Sequence, residues 1–253
     1  MTEKQVADAK TTTYSSLFRG ALSLIAGAVL ATTASADDNC RQRLDISDQF
    51  ALDGVTEISL EAGAGKLIVI GQPGLESVEV AGRACSTDED NLAQFAVTSD
   101  RNGAKLILRT EIPEPSKSFL GNSYARLDLE VRIPNSYPIQ IADTSGSMAV
   151  SSVASVEIKD GSGSIQVQDV PGAVNIVDDG SGSITIVRAG SVRIGEDGSG
   201  SITASQIMSD VYVGRDGSGS ITAKDVGGDF TVASDSSGSI RHKNVAGIVQ
   251  VDD

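Results

Sequence analysis

The 253-residue chain is 40% hydrophobic yet only 4% aromatic, with no Trp and 27 Gly. Large aromatics supply much of the packing area in ordinary globular cores, so this composition points to a thin interior lined by small β-branched residues. A formal net charge of −14 repels phosphate backbones and anionic headgroups, which disfavours nucleic-acid and peripheral-membrane partners.

Residues 1–36 read as a secretory leader. Lys4, Lys10 and Arg19 form its basic region, and Ala21 to Thr33 is an uncharged run of 13 residues, too short to span a bilayer unaided. Ala34-Ser35-Ala36 then offers the small residues a signal peptidase needs. Cleavage after Ala36 removes those three basic residues and two acidic ones (Glu3, Asp8), leaving a net charge of about −15. The expected destination is the periplasm, the cell surface or the extracellular space, with no membrane span after cleavage. Cys40 and Cys85 are the only thiols. An even pair in an oxidising compartment is expected to form a disulfide, worth on the order of 4 kcal/mol by loop closure. Asp37-Asp38-Asn39 precedes Cys40 where a lipoprotein signal has small apolar residues, so no lipid attachment is expected.

Residues 37–137 are expected to form an N-terminal β region and cap. Strand pairs stand at Ile58/Leu60, Leu67/Val69 and Val78/Val80, with Gly63 and Gly65 between the first two. They read as degenerate early coils or a capping β-layer. Residues 94–110 predict a hairpin, with Asn102-Gly103 as its turn signal. Glu111 to Tyr124 is a Pro/Ser/Gly-rich loop carrying Phe119, Leu120 and Tyr124, expected to fold over the open end as a cap. Leu127, Leu129, Val131 and Ile133 alternate as a further strand.

Residues 138–253 carry a repeat. DTSGSM begins at Asp143, DGSGSI at Asp160, Asp179, Asp197 and Asp216, and DSSGSI at Asp235, with spacings of 17, 19, 18, 19 and 19 residues. Alignment of the copies exposes four apolar ladders. The first runs Met148, Ile165, Ile184, Ile202, Ile221, Ile240, and the second Val150, Val167, Ile186, Ala204, Ala223, His242. The third runs Val156, Val174, Val192, Val211, Phe230, Val249, and the fourth Ile158, Ile176, Ile194, Val213, Val232, Val251. Pairs two residues apart are strand spacing. Two short strands per copy make one coil of a parallel β-solenoid, and each coil alone has too little core to fold. The recurring Gly supplies φ > 0 at the bend, and the Asp is placed to accept backbone N–H groups two residues on. Expected fold class: all-β, a parallel β-solenoid (β-helix) with coils of about 17–19 residues, continuous with its N-terminal cap.

Catalytic chemistry finds no constellation here. A nucleophile triad needs a base, and the only His, His242, lies on an inward ladder of the last coil beside Arg241 and Lys243. Charges there guard an open edge against aggregation. Zinc spacing, a P-loop, a dinucleotide fingerprint and a GxSxG elbow are absent from the sequence, and no paired carboxylates stand out for glycoside hydrolysis. The column Asp143, Asp160, Asp179, Asp197, Asp216, Asp235 poses a question of charge. At a rung spacing of roughly 4.8 Å, neighbouring carboxylates repel by about 0.9 kcal/mol even in water. Ca²⁺ between rungs is one remedy, but calcium nonapeptide solenoids carry Asp after the second Gly, as GGxGxD, where this chain has Ile165 and Ile184. A Thr row at Thr185, Thr203 and Thr222, the mark of an ice-binding face, is interrupted by Gln166 and Arg241. No catalytic residue, cofactor or metal ligand is therefore assigned.

The stretch FALDGVTEISLEAGAGKLIVIG, then LEVRIPNSYPIQIADTSGSM, followed by SGSI coils, resembles the exported family known as putative adhesins of unknown function, over residues 50–251. The resemblance implies a cell-envelope β-solenoid and brings no catalytic residues with it. The expected function is a non-enzymatic envelope or surface module for adhesion or scaffolding, with an unidentified surface ligand and self-association as partner options. The alternatives are a carbohydrate-binding or polysaccharide-acting solenoid and a calcium-binding repeat protein.

Overall fold

The computed structural model describes residues 40–115 and 123–252. The expected leader, and Phe119 and Leu120 of the expected cap loop, lie outside the described residues. No helix among them is long and apolar enough to cross a membrane. The only helical element described is a short 3₁₀ turn, Glu89–Gln94, whose Asp90 amide donates to the Asp88 carboxylate.

Two β-sheets face each other across one hydrophobic core. The first stacks, in spatial order, Ala96–Asn102, Lys105–Glu111, Glu57–Glu61, Pro138–Asp143, Ser155–Asp160, the later halves of Ile165–Asp179 and Ile184–Asp197, Val211–Asp216, Phe230–Val232 and Val249–Val251. The second stacks Gln42–Ala51, Ser77–Ser86, Ala125–Pro134, Leu67–Gln72, Met148–Ser151, the earlier halves of the two long strands, Ile202–Ile207, Gly219–Val226 and Gly238–Val245. Every pairing between coils is parallel, as the repeat predicts.

The solenoid starts before the repeat does. Glu57–Glu61 and Leu67–Gln72 form a coil directly beneath Pro138–Asp143 and Met148–Ser151, and Gly65 takes φ +144° just where the later coils bend. The Val78/Val80 pair is different. It belongs to Ser77–Ser86, which pairs antiparallel with both Gln42–Ala51 and Ala125–Pro134, so it is a capping layer and not a coil. The expected hairpin is Ala96–Asn102 with Lys105–Glu111, and Gly103 has φ +61° at its turn. Arg101 ties it to the preceding chain by donating to the carbonyls of Ala51 and Asp53, each at 2.6 Å. Cys40 and Cys85 are disulfide-bonded, which fastens the beginning of the described chain to this layer.

The four predicted ladders line the interior, and all but their last rungs are buried. His242 is in inward register with Ala223, but the last rung has no described coil above it, so the ring is exposed. It lies 6.3 Å from the Phe230 ring. A fifth ladder completes the core: Val153, Val170, Ala189, Ile207 and Val226 are buried, with Val245 partly so. Each follows a residue in the left-handed region (Ser152, Asp169, Arg188, Gln206, Asp225, Asn244, φ 54–59°). That residue turns the chain out of the second sheet and onto a short third side. Non-glycine residues adopt this conformation at some cost, least for Asn and Asp. Contacts between rungs help hold it: Arg188 Nη2 donates to Asp169 at 2.8 Å, and Asn244 Nδ2 to Asp225 at 2.7 Å.

The other corner is the Asp-Gly-Ser-Gly-Ser bend. Its second Gly has φ between +130° and +147° in all six copies, and it sits over the carbonyl of the same Gly one coil below. A Cβ at Gly163, Gly182, Gly200 or Gly219 would lie 1.4–1.7 Å from that oxygen. No side chain fits. Gly182→Ala is therefore expected to cost about 3 kcal/mol or more, read as loss of the folded fraction or of urea midpoint. Gly74→Ala, where a Cβ meets nothing within 4 Å, should cost about 1 kcal/mol, for its positive φ alone. Equal effects at the two sites would contradict a packed bend.

Candidate functional site

The residue opening each bend points inward. In Ser155–Asp160 the alternation is unbroken, so Val156, Ile158 and Asp160 share the buried face. In the next coil Val177 is an extra residue, and the pairing shifts so that Ile158 meets Ile176 while Asp160 meets Asp179. This bulge preserves the inward Asp. Asp143, Asp160, Asp179 and Asp197 are paired rung on rung with Asp216, and a single bridge links Asp216 to Asp235. The first five are at most 6% exposed. The carboxyls stand inside the corner rather than on the surface beside the bend.

One oxygen of most rungs has a partner. The Ser181, Ser199, Ser218 and Ser237 amides donate to the Oδ1 atoms of Asp179, Asp197, Asp216 and Asp235 at 3.1–3.3 Å, and Thr144 N donates to Asp143 at 2.9 Å. The four Ser bonds are those that the spacing predicts; the Thr144 bond is one residue shorter. The second oxygen has none. Oδ2 of Asp143, Asp179, Asp197 and Asp216, and both oxygens of Asp160, are buried without a hydrogen-bond partner. Buried carboxylates without partners are costly and take up a proton instead. Burial first, and the neighbouring Asp160 second, push Asp143 up to about 7 against its Thr144 and Ser145 amides. The same two causes raise Asp179 to about 6. Burial, then Asp179 and Asp216, raise Asp197 to about 7. Asp160 and Asp216 are raised too, mainly by burial.

The arrangement is ill suited to catalysis, because a general base must touch its substrate and these carboxyls are roofed by backbone. It is equally ill suited to a closed metal cage. Among the described residues no three His, Cys, Asp or Glu side chains converge on a metal position, whereas Ca²⁺ takes six to eight oxygens.

The outer strand faces carry mostly polar rows, with Val177, Met208 and Ile248 exposed as apolar exceptions. On the first sheet one row runs Gln140, Glu157, Asn175, Arg193, Tyr212 and Thr231. Asn175 donates to Glu157 at 2.9 Å, and the Arg193 guanidinium lies 4.3 Å from the centre of the Tyr212 ring. On the second sheet Thr185, Thr203 and Thr222 stand in register. Shallow clefts on the N-terminal layers are lined by Asp48, Glu79, Glu130 and Arg132 and by Lys66, Arg83 and Asp128, with no aromatic side chain in either.

No family model matches the chain, and no curated protein does. Among solved structures it is similar to a putative adhesin from Bacteroides fragilis, at 15% identity and a TM-score of 0.39, over 83% of this chain and 97% of that one. It is similar also to a putative cell adhesion protein from Clostridium sporogenes, at 11% identity and a TM-score of 0.32, over 83% and 99% of the two chains. A third is described as a putative lipid binding protein from Parabacteroides distasonis, at 13% identity and a TM-score of 0.33, over 84% and 98%. Likenesses this remote carry no activity over.

The calcium alternative has a direct check. Thermal melts with millimolar Ca²⁺ and with chelator are expected to share one midpoint, and a midpoint raised by Ca²⁺ would restore the ion between the rungs.

Proposed function

We propose that this chain is a non-enzymatic module of the cell envelope or surface, exported through its leader, which uses the outer faces of the solenoid for adhesion or scaffolding. The observation that carries the reading is the division of labour across each strand. Carboxyls poised near neutrality are sealed inside, while the outward positions form long rows of polar side chains at coil spacing. A row of this kind suits an extended partner better than a small molecule, which seeks a concave site. The Cys40–Cys85 disulfide fits an oxidising compartment, and the basic, apolar and small-residue order of residues 1–36 fits export.

Cell fractionation with protease shaving tests the location: cleaved protein is expected in the periplasm or on the surface, and full-length protein in the cytoplasm would overturn it. Binding of purified protein to isolated envelopes tests the face. Arg193→Ala with Tyr212→Ala should weaken that binding by about tenfold or more and leave the melting midpoint within a few degrees of the parent. Unchanged binding would remove this row as the working surface.

A further inference from the structure

The aspartate column raises a problem of counter-charge. Neighbouring carboxyls stack rung on rung, five of them buried, and six of their oxygens are without partners. No Lys, Arg or His is buried among the described residues. The charged side chains nearest in sequence, Lys159, Asp178, Glu196 and Arg215, sit immediately before the column residues, and Arg215 is engaged with Glu196 at 3.7 Å. Across the core the second sheet offers only Met148, Ile165, Ile184, Ile202 and Ile221 at the start of its strands. The bend contributes its Ser amides, already donated to Oδ1 on three of the buried rungs. Asp235, half-buried, caps the row.

We infer that the column is a proton-holding spine, in which a neutral carboxylic acid on one rung donates to the carboxylate of the next, so that the coils stack firmly in acid and loosen in alkali. The number of available donor oxygens favours the proton over larger cations. A proton shared by two carboxyls needs only one oxygen from each, in a short O–H···O⁻ bond, whereas the linear column brings no three acids together around an ion. Like charges in contact cannot all ionise, and the protons leave the column in coupled steps belonging to the row and not to single residues.

The direction of the pH effect follows from linkage. Unfolded Asp titrates near 3.9, while Asp143 and Asp197 in the fold titrate at about 7 and Asp179 at about 6. The folded chain thus binds more protons than the unfolded chain across that interval. The stability contributed by the column is complete below about pH 4 and is lost as pH rises through 6 to 7. The usual acid-labile carboxylate behaves in the opposite way. The folded protein also carries less negative charge near neutrality than its formal −14.

Urea unfolding of the full chain from pH 4 to pH 9 tests this. With about two to three extra protons held by the fold, the unfolding constant should rise by roughly a few hundred-fold per pH unit between pH 5 and 6. The double variant Asp179→Asn/Asp197→Asn keeps the shape, removes two ionisable groups and leaves an amide donor. It should show at most about a tenfold rise per unit and exceed the parent in stability at pH 8. An unchanged slope in the variant, or a parent that is most stable in alkali, would overturn the inference. So would a midpoint at pH 8 restored by Na⁺, K⁺ or Ca²⁺ at constant ionic strength, which would make the column a cation site. Should the variant not fold, infrared spectra of the unmodified protein decide: a protonated-carboxyl C=O band at pH 6 is expected in the folded state and lost on unfolding. Its absence from the folded state contradicts the proposal.

Discussion

The structure depends on one close approach, the passage of each bend glycine over the carbonyl of its counterpart one coil below. That contact admits no Cβ at Gly146, Gly163, Gly182, Gly200, Gly219 or Gly238. With the glycine in place, the bend is hydrogen-bonded in both directions along the stack. The Gly180 amide donates down to the Asp160 carbonyl at 3.2 Å, and the Gly182 amide donates up to the Ser199 carbonyl at 2.9 Å. The bend is thus another rung of the ladder and not a loop. Because both strands of a coil grow out of this corner, its regularity keeps the Ile and Val ladders in register over the full height.

The same corner creates the main electrostatic conflict of the fold. Along most strands the alternation matches the buried face, and glycine takes the positive φ of the bend. Among the described residues, only the aspartates of the column are charged groups buried from water. The Oδ1 atoms of Asp179, Asp197, Asp216 and Asp235 hold the bend by accepting its Ser amides, and the shape of the turn carries the rest of the carboxyl inward. A residue needed for the geometry of the corner thereby acquires an electrostatic burden, which repetition multiplies along the stack.

Much of this was legible in the sequence, and the misses have physical reasons. The parallel coils followed from ladders with period two inside each copy. The spacing of 17–19 residues varies at only two places, the third side and the bulge before the Asp, while Asp to Ile is invariant. The inward Asp was readable in Val156-Ile158-Asp160, but the extra Val177 hides that alternation in the next coil. The fifth ladder contributes one residue per coil after a left-handed corner, so it has no period-two partner within a copy; its signal is the apolar column ten residues after each Asp in the aligned copies. Val78 and Val80 alternate just as coil strands do, and alternation alone is blind to whether neighbours run parallel or antiparallel. The strand Gln42–Ala51, mostly exposed at the edge of its sheet, has little apolar pattern to read.

A packed, hydrogen-bonded bend is most directly tested by residue-resolved amide hydrogen exchange. The amides of Gly163, Gly182, Gly200 and Gly219 are expected to exchange as slowly as those of the neighbouring strand residues Ile165, Ile184 and Val192, in one cooperative opening of the stack. Bend amides that exchange at the rate of an open loop, while the strands stay protected, would contradict the account.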